Sequence, residues 1–166
     1  GASLAYNPTS NMFLGDGVTA VVDLRRRGVK VALGTDGGCS NNRVSVLDEI
    51  RMTALLQKVA RCDGQAIAAE DCLAMGTALG GEVLRLPVGR LAVGYRADLV
   101  ALDLADPSLW PAQALAKNVV YALSARAVTD VVVDGEVVVR ARALARVPLE
   151  EIRQRVRELT RDWHRD

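Results

Sequence analysis

The chain has 166 residues, half of them apolar and a quarter charged, with 21 Lys+Arg against 20 Asp+Glu and a formal net charge of +1. That composition is globular rather than disordered, and the balanced charge offers no field for nucleic acid. No apolar run approaches the roughly 18 residues of a spanning helix, so a protein that crosses a membrane by helices is not expected.

No basic segment followed by an apolar one marks a secretory leader. The three cysteines, Cys39, Cys62 and Cys72, follow no metal-ligand spacing and suit a reducing cytoplasm. Gly1-Ala2-Ser3 opens the chain without Met, as in a processed chain or a piece of a longer one. The single histidine, His164, is the third residue from the end and is expected to be solvent-exposed. Any mechanism that needs several imidazoles must take them from elsewhere.

Leu4-Ala5-Tyr6-Asn7 is a short apolar run stopped by Pro8, which suits a strand end. Residues 9–17, with Asn11, Gly15, Asp16 and Gly17, read as a turn-rich loop. From Val18 to Arg27, Val18, Val21, Val22 and Leu24 recur at near-helical spacing, Arg25-Arg26-Arg27 form a solvated face, and Gly28 is the stop. Val29-Lys30-Val31-Ala32-Leu33 predicts a buried strand, followed by the loop Gly34–Asn42. A long helix is predicted over Ser45–Ala60, with Val46, Ile50, Leu55 and Val59 among its apolar positions, and another over Ala68–Leu84 with a weak point at Gly80-Gly81.

Past Pro87 the pattern changes to Gly-punctuated turns, a strand over Ala97–Asp103, and Val-rich runs at Asn118–Ala122, Val128–Val133 and Glu136–Val139. Asp134-Gly135 between the last two is a strong hairpin signal. A charged amphipathic helix spans Pro148–Trp163, and Trp110 and Trp163 read as local packing anchors. No repeat or low-complexity stretch is visible.

Strand–helix alternation in the first part implies parallel strands with right-handed crossovers, whose chemistry gathers where strands end and helices begin. Both polar loops, Asn7–Gly17 and Gly34–Asn42, fall there. Two parallel strands alone expose both edges and close no core, so the sequence reads as the end of something longer.

Within Gly34-Thr35-Asp36-Gly37, a carboxylate follows a buried strand between glycines that permit close approach of backbone and substrate. Asp36 can meet a metal ion or accept a proton there; the plainer reading is that it caps a helix or orders a turn. A phosphate cradle is disfavoured, because the loop lacks the Gly-Lys-Ser/Thr and GxGxxG patterns and Asp36 would repel the anion. In the other loop, Ser10 and Asn11 suit a role in holding the loop together. Tyr6 and Asn41 are the candidate substrate contacts. Cys39 adjoins the Asp36 loop, but no histidine lies near it to support nucleophilic catalysis.

Three stretches occur in order: Tyr6-Asn-Pro-Thr-Ser-Asn-Met-Phe-Leu14, Val31-Ala-Leu-Gly-Thr-Asp-Gly-Gly-Cys-Ser-Asn-Asn42 and Gly89-Arg-Leu-Ala-Val-Gly-Tyr-Arg-Ala-Asp-Leu-Val100. Together they resemble the amidohydrolase superfamily, in particular the branch of methylthioadenosine/adenosylhomocysteine deaminases, other amino-heterocycle deaminases and triazine hydrolases. The resemblance runs from Leu4 to about Val139 and implies the C-terminal part of a (β/α)8 TIM barrel plus part of a small β-sandwich. Residues 1–87 would supply the last two βα units and following helices, 88–143 the sandwich portion and 144–166 the terminal helix. A barrel of this kind needs about 250 residues.

The resemblance further implies that Asp36 ligates a divalent metal, expected to be zinc, and shuttles protons in hydrolytic deamination of an amino-substituted purine, pyrimidine or triazine. The family's other ligands come from a His-x-His pair on strand one and histidines on strands five and six, none of them here. Asp36 alone falls short of the three protein ligands usual for catalytic zinc, so the isolated chain is expected to be inactive. Where relatives commonly carry His before Asn/Cys-Pro, this chain has Tyr6, which cannot serve as a base at neutral pH. The expected partners are a small heterocyclic substrate and either further copies of the chain or a missing N-terminal part. A reading from another class is a non-catalytic subunit that joins a second chain through exposed barrel strands.

Overall fold

The computed structural model describes residues 2–163, so His164 lies outside the described residues. Strand β1 (Ser3–Tyr6) leads into α1 (Pro8–Leu14) and α2 (Val21–Arg26). Strand β2 (Lys30–Leu33) follows, then α3 (Val46–Arg61), α4 (Ala69–Met75) and α5 (Ala78–Leu84). The remainder is β3 (Leu99–Leu102), α6 (Leu115–Tyr121), β4 (Val128–Val133), β5 (Glu136–Arg140), β6 (Ala143–Leu144) and α7 (Leu149–Leu159).

β1 and β2 pair in parallel with Tyr6 opposite Leu33, and the Gly34 N–H donates to the Tyr6 carbonyl at 3.0 Å. The carboxyl ends of both strands therefore lie side by side, and the segments after Tyr6 and Leu33 leave from the same edge. Val21, Val22, Val31, Ile50, Ala54 and Met75 fill the core beneath them, together with Cys72, whose thiol burial pushes up to about 12. Helix α3 begins where the Ser45 hydroxyl accepts the Asp48 N–H at 3.3 Å, with Asp48 and Glu49 in the first turn facing the positive end of the helix dipole.

Several elements differ from expectation, some for local reasons and others because of packing between distant segments. Residues 9–17 are not all loop: Pro8 needs no helical partner for its missing N–H and starts α1, which closes on Gly15 at φ +77°. The helix expected over Ala68–Leu84 is two helices, broken at Gly76-Thr77 rather than at Gly80-Gly81. At Gly76 a Cβ would stand 2.5 Å from Ile50 Cδ1, so the chain passes too close to α3 for a side chain. The Val-rich run at Asn118–Ala122 is helical, because α6 buries Val120 in the core and Asn118 Nδ2 bonds the Leu109 and Pro111 carbonyls at 2.9 and 2.8 Å. Leu55 and Val59 of α3 face outward; Glu49, Ile50, Thr53, Ala54 and Gln57 form its buried face. Trp110 and Trp163 are exposed rather than packed, and Trp110 is tethered by an indole N–H bond of 2.9 Å to the Leu104 carbonyl.

The second sheet is antiparallel in the order β3-β4-β5-β6. Its hairpin turns at Asp134-Gly135, both at positive φ (+51° and +81°), the backbone that an Asp-Gly loop favours. The Asp134 N–H bonds Asp98 Oδ1 at 2.6 Å and the Gly135 N–H bonds the Ala97 carbonyl at 3.0 Å, so this turn is fastened to the segment leading into β3.

Candidate active site

Asp36 stands three residues past the end of β2, exposed, in the left-handed region at φ +60°. Short polar side chains tolerate that conformation better than most. Its Oδ1 accepts the Gly37 N–H at 2.7 Å. Its Oδ2 accepts two hydroxyls, Ser10 at 2.7 Å and Ser40 at 2.9 Å. Ser10 comes from α1 and Ser40 from the loop after β2, and both are buried. Three donors therefore converge on one carboxylate, one from α1 and two from the loop after β2. Foremost the Ser10 hydroxyl, then the Gly37 amide and the Ser40 hydroxyl, hold its pKa below the ordinary carboxylate range.

Gly34 makes the junction between the loops possible. A Cβ there would stand 2.5 Å from Asn7 Oδ1. Of the other two candidates, Asn41 is buried and committed to its own surroundings: Nδ2 donates to the Thr35 carbonyl at 2.9 Å and to Glu49 Oε1 at 2.6 Å, while Oδ1 accepts the Arg43 N–H at 3.3 Å. Tyr6 is also buried, and its hydroxyl has no hydrogen-bond partner among the described residues. Burial above all, with the nearby Glu49 carboxylate, raises its phenol pKa. The structure thus brings Asp36, Ser10, Ser40 and Asn41 together at one strand end, with Tyr6 in the core beneath.

Sequence reading did not find Ser40 and Glu49. Ser40 stands four residues after Asp36 and would have been the natural second donor once the loop was seen to fold back. Glu49, Thr53 and Gln57 recur every four residues along α3, a pattern that by itself reads as a solvated stripe.

Cation binding needs anionic or imidazole donors, and Asp36 fits as one of them: it is exposed, ionised, and oriented by three donors on its oxygens. Among the described residues no three His, Cys, Asp or Glu side chains gather closely enough to hold an ion. A complete ligand set would need groups from outside them.

A profile of the amidohydrolase family matches residues 1–138. The 5-methylthioadenosine/S-adenosylhomocysteine deaminase of Desulforudis audaxviator (strain MP104C) is 42% identical over 154 residues, 92% of this chain and 36% of its own length. An adenosine deaminase structure from Xanthomonas campestris with bound zinc superposes at a TM-score of 0.89 and 31% identity, over 94% of this chain and 36% of its own. The zinc complex of atrazine chlorohydrolase from Arthrobacter aurescens TC1 gives a TM-score of 0.87 at 24% identity, over 95% and 35%, a likeness of fold alone.

The chain belongs to the amidohydrolase family. It is an α/β chain whose parallel strands and helices form part of a (β/α)8 barrel, as expected from the sequence. It spans about a third of the length of these relatives.

Proposed function

We propose that this chain is the C-terminal portion of a metal-dependent amidohydrolase that hydrolytically deaminates an amino-substituted N-heterocycle of purine, pyrimidine or triazine type, with Asp36 as its reacting carboxylate. The observation that carries the reading is the exposed Asp36 side chain, ionised and fixed by three donors at the carboxyl end of a parallel strand. The named activities of its relatives support the same class. In this reading residues 1–87 contribute barrel units, 88–143 a sandwich portion and the remainder the segment that carries α7, and the missing barrel strands come from an N-terminal part or a partner chain.

Asp36 would be one ligand of a divalent cation, zinc by analogy with the relatives' structures, which when bound supplies Lewis acidity and lowers the pKa of a water. A carboxylate offers roughly four lone-pair sites. Three are taken here, two on Oδ2 and one on Oδ1, so holding the cation and taking the proton together require one of the three donors to let go. Asp36 accepts one proton from the attacking water as its oxygen adds to the ring carbon bearing the amine. It returns that proton to the amine as the C–N bond breaks and ammonia leaves. Ser10 and Ser40 keep the carboxylate from turning aside, and each hydroxyl can follow the change of charge without moving its heavy atom. Tyr6 and Asn41 belong to the floor beneath, their reach to substrate indirect.

No nucleic-acid or membrane partner enters this reading; among the described residues no helix is long and apolar enough to cross a membrane. The free thiols Cys39, Cys62 and Cys72 support a cytoplasmic location. In the complete protein, assayed against aminated purines, pyrimidines and triazines, Asp36→Asn should remove turnover while circular dichroism stays unchanged. Near-normal deamination by that variant would sink the proposal.

A further inference from the structure

We infer that Glu49 is the positioning residue that holds the two loops of this site in register, an inference that rests on Asp36 being the reacting carboxylate. Glu49 lies in the first turn of α3 and is fully buried. Its Oε1 accepts the Asn41 amide at 2.6 Å and its Oε2 accepts the Thr9 backbone N–H at 3.0 Å. Each branch ends one residue from a donor to Asp36. Thr9 precedes Ser10, and Asn41 follows Ser40. The Asn41 amide also bonds the carbonyl of Thr35, the residue before Asp36. One carboxylate thus links the start of α1 to both ends of the Asp36 loop.

The donor arithmetic requires a carboxylate here. Burying this group is costly unless donors take both its oxygens, and both partners are donors. Glutamine would offer one acceptor and turn its own NH2 toward either the Thr9 N–H or the Asn41 amide. Asn41 cannot flip to accept it without losing the Thr35 carbonyl and the Arg43 N–H. The Thr9 N–H is main chain and cannot turn at all. Helix-dipole complementarity accounts for an acid in the first turn of α3, but not for one turned inward onto donors from two other segments.

The test is hydrogen exchange and steady-state kinetics of Glu49→Gln in the complete protein. We expect the amides of residues 35–41 to exchange about tenfold faster while those of the middle of α3 keep their protection, a local opening. At a temperature well below the melting point, kcat should fall about 100-fold, the loss typical of a reacting group displaced by about 1 Å, with KM little changed. Unchanged loop protection and unchanged kcat, or a lowered melting point with kcat per folded molecule intact, would overturn the inference. If Glu49→Gln does not fold, Asn41→Ala removes the Oε1 branch together with the Thr35 and Arg43 bonds, leaves Thr9 on Oε2, and should loosen the same loop; full protection there would count equally against the inference. A wild-type protein with no deaminase activity would defeat the reading of Asp36, while the exchange measurement would still decide whether Glu49 holds the loops.

Discussion

At the scale of single residues, the hydroxyls of Ser10 and Ser40 do for Asp36 what a cation does in an ion pair: they favour its charged form. Ser10 contributes most to lowering its pKa. Ser10→Ala should therefore raise the Asp36 pKa toward the ordinary carboxylate range, and Ser40→Ala should raise it less, as read from the carboxyl carbon shift by NMR in metal-free protein. A value that does not move in Ser10→Ala would contradict this account. Because the folded value lies below the unfolded one, the associated stabilisation is present above the unfolded pKa and fades as pH falls through the folded pKa. Asp36 stood out as a candidate in the sequence because a strand end, a glycine and an acid fall within four positions, Leu33 to Asp36. Glu49 did not, because its partners Thr9 and Asn41 are 40 and 8 residues away, and only folding makes them neighbours.

At the scale of elements, two glycines test how closely the segments pack. A Cβ at Gly76 would meet the tip of Ile50, a side chain that can give way at some cost. A Cβ at Gly89 would stand 2.5 Å from the Thr77 carbonyl oxygen and 2.6 Å from its carbon, both main chain, at φ +82°. Gly89→Ala should thus cost about 3 kcal/mol or more, combining overpacking with left-handed strain, and Gly76→Ala about 1–2 kcal/mol. Urea denaturation of the two variants measures the order, and a reversed order would refute it. The hairpin at Asp134-Gly135 was readable because its two residues carry the turn's geometry themselves. Helix α6 was not: Val119, Val120 and Tyr121 are favourable in strands, and only contact with α3 and α4 makes helix the better way to bury Val120.

At the scale of the whole molecule, the first sheet has only β1 and β2 among the described residues, so each strand has an edge without a partner there. Unpaired strand edges recruit other chains. The isolated 166-residue chain should therefore self-associate, and on the proposal that Asp36 is a metal ligand it should bind less than one zinc per chain. Sedimentation equilibrium and metal analysis check both; a monomeric preparation with full zinc and deaminase activity would contradict them.

The sequence by itself determined the local pieces: the parallel strand ends, the Asp36 loop, the Asp134-Gly135 turn, and the ordered stretches that resemble amidohydrolases. Those features depend on neighbours a few residues apart, where spacing and side-chain chemistry suffice. The tertiary structure decided which face of α3 is buried, that Asn41 turns inward toward Glu49, and that Ser10 meets Asp36 across 26 residues of chain. Those outcomes follow from packing and donor–acceptor pairing between distant segments, which no local pattern along the chain encodes.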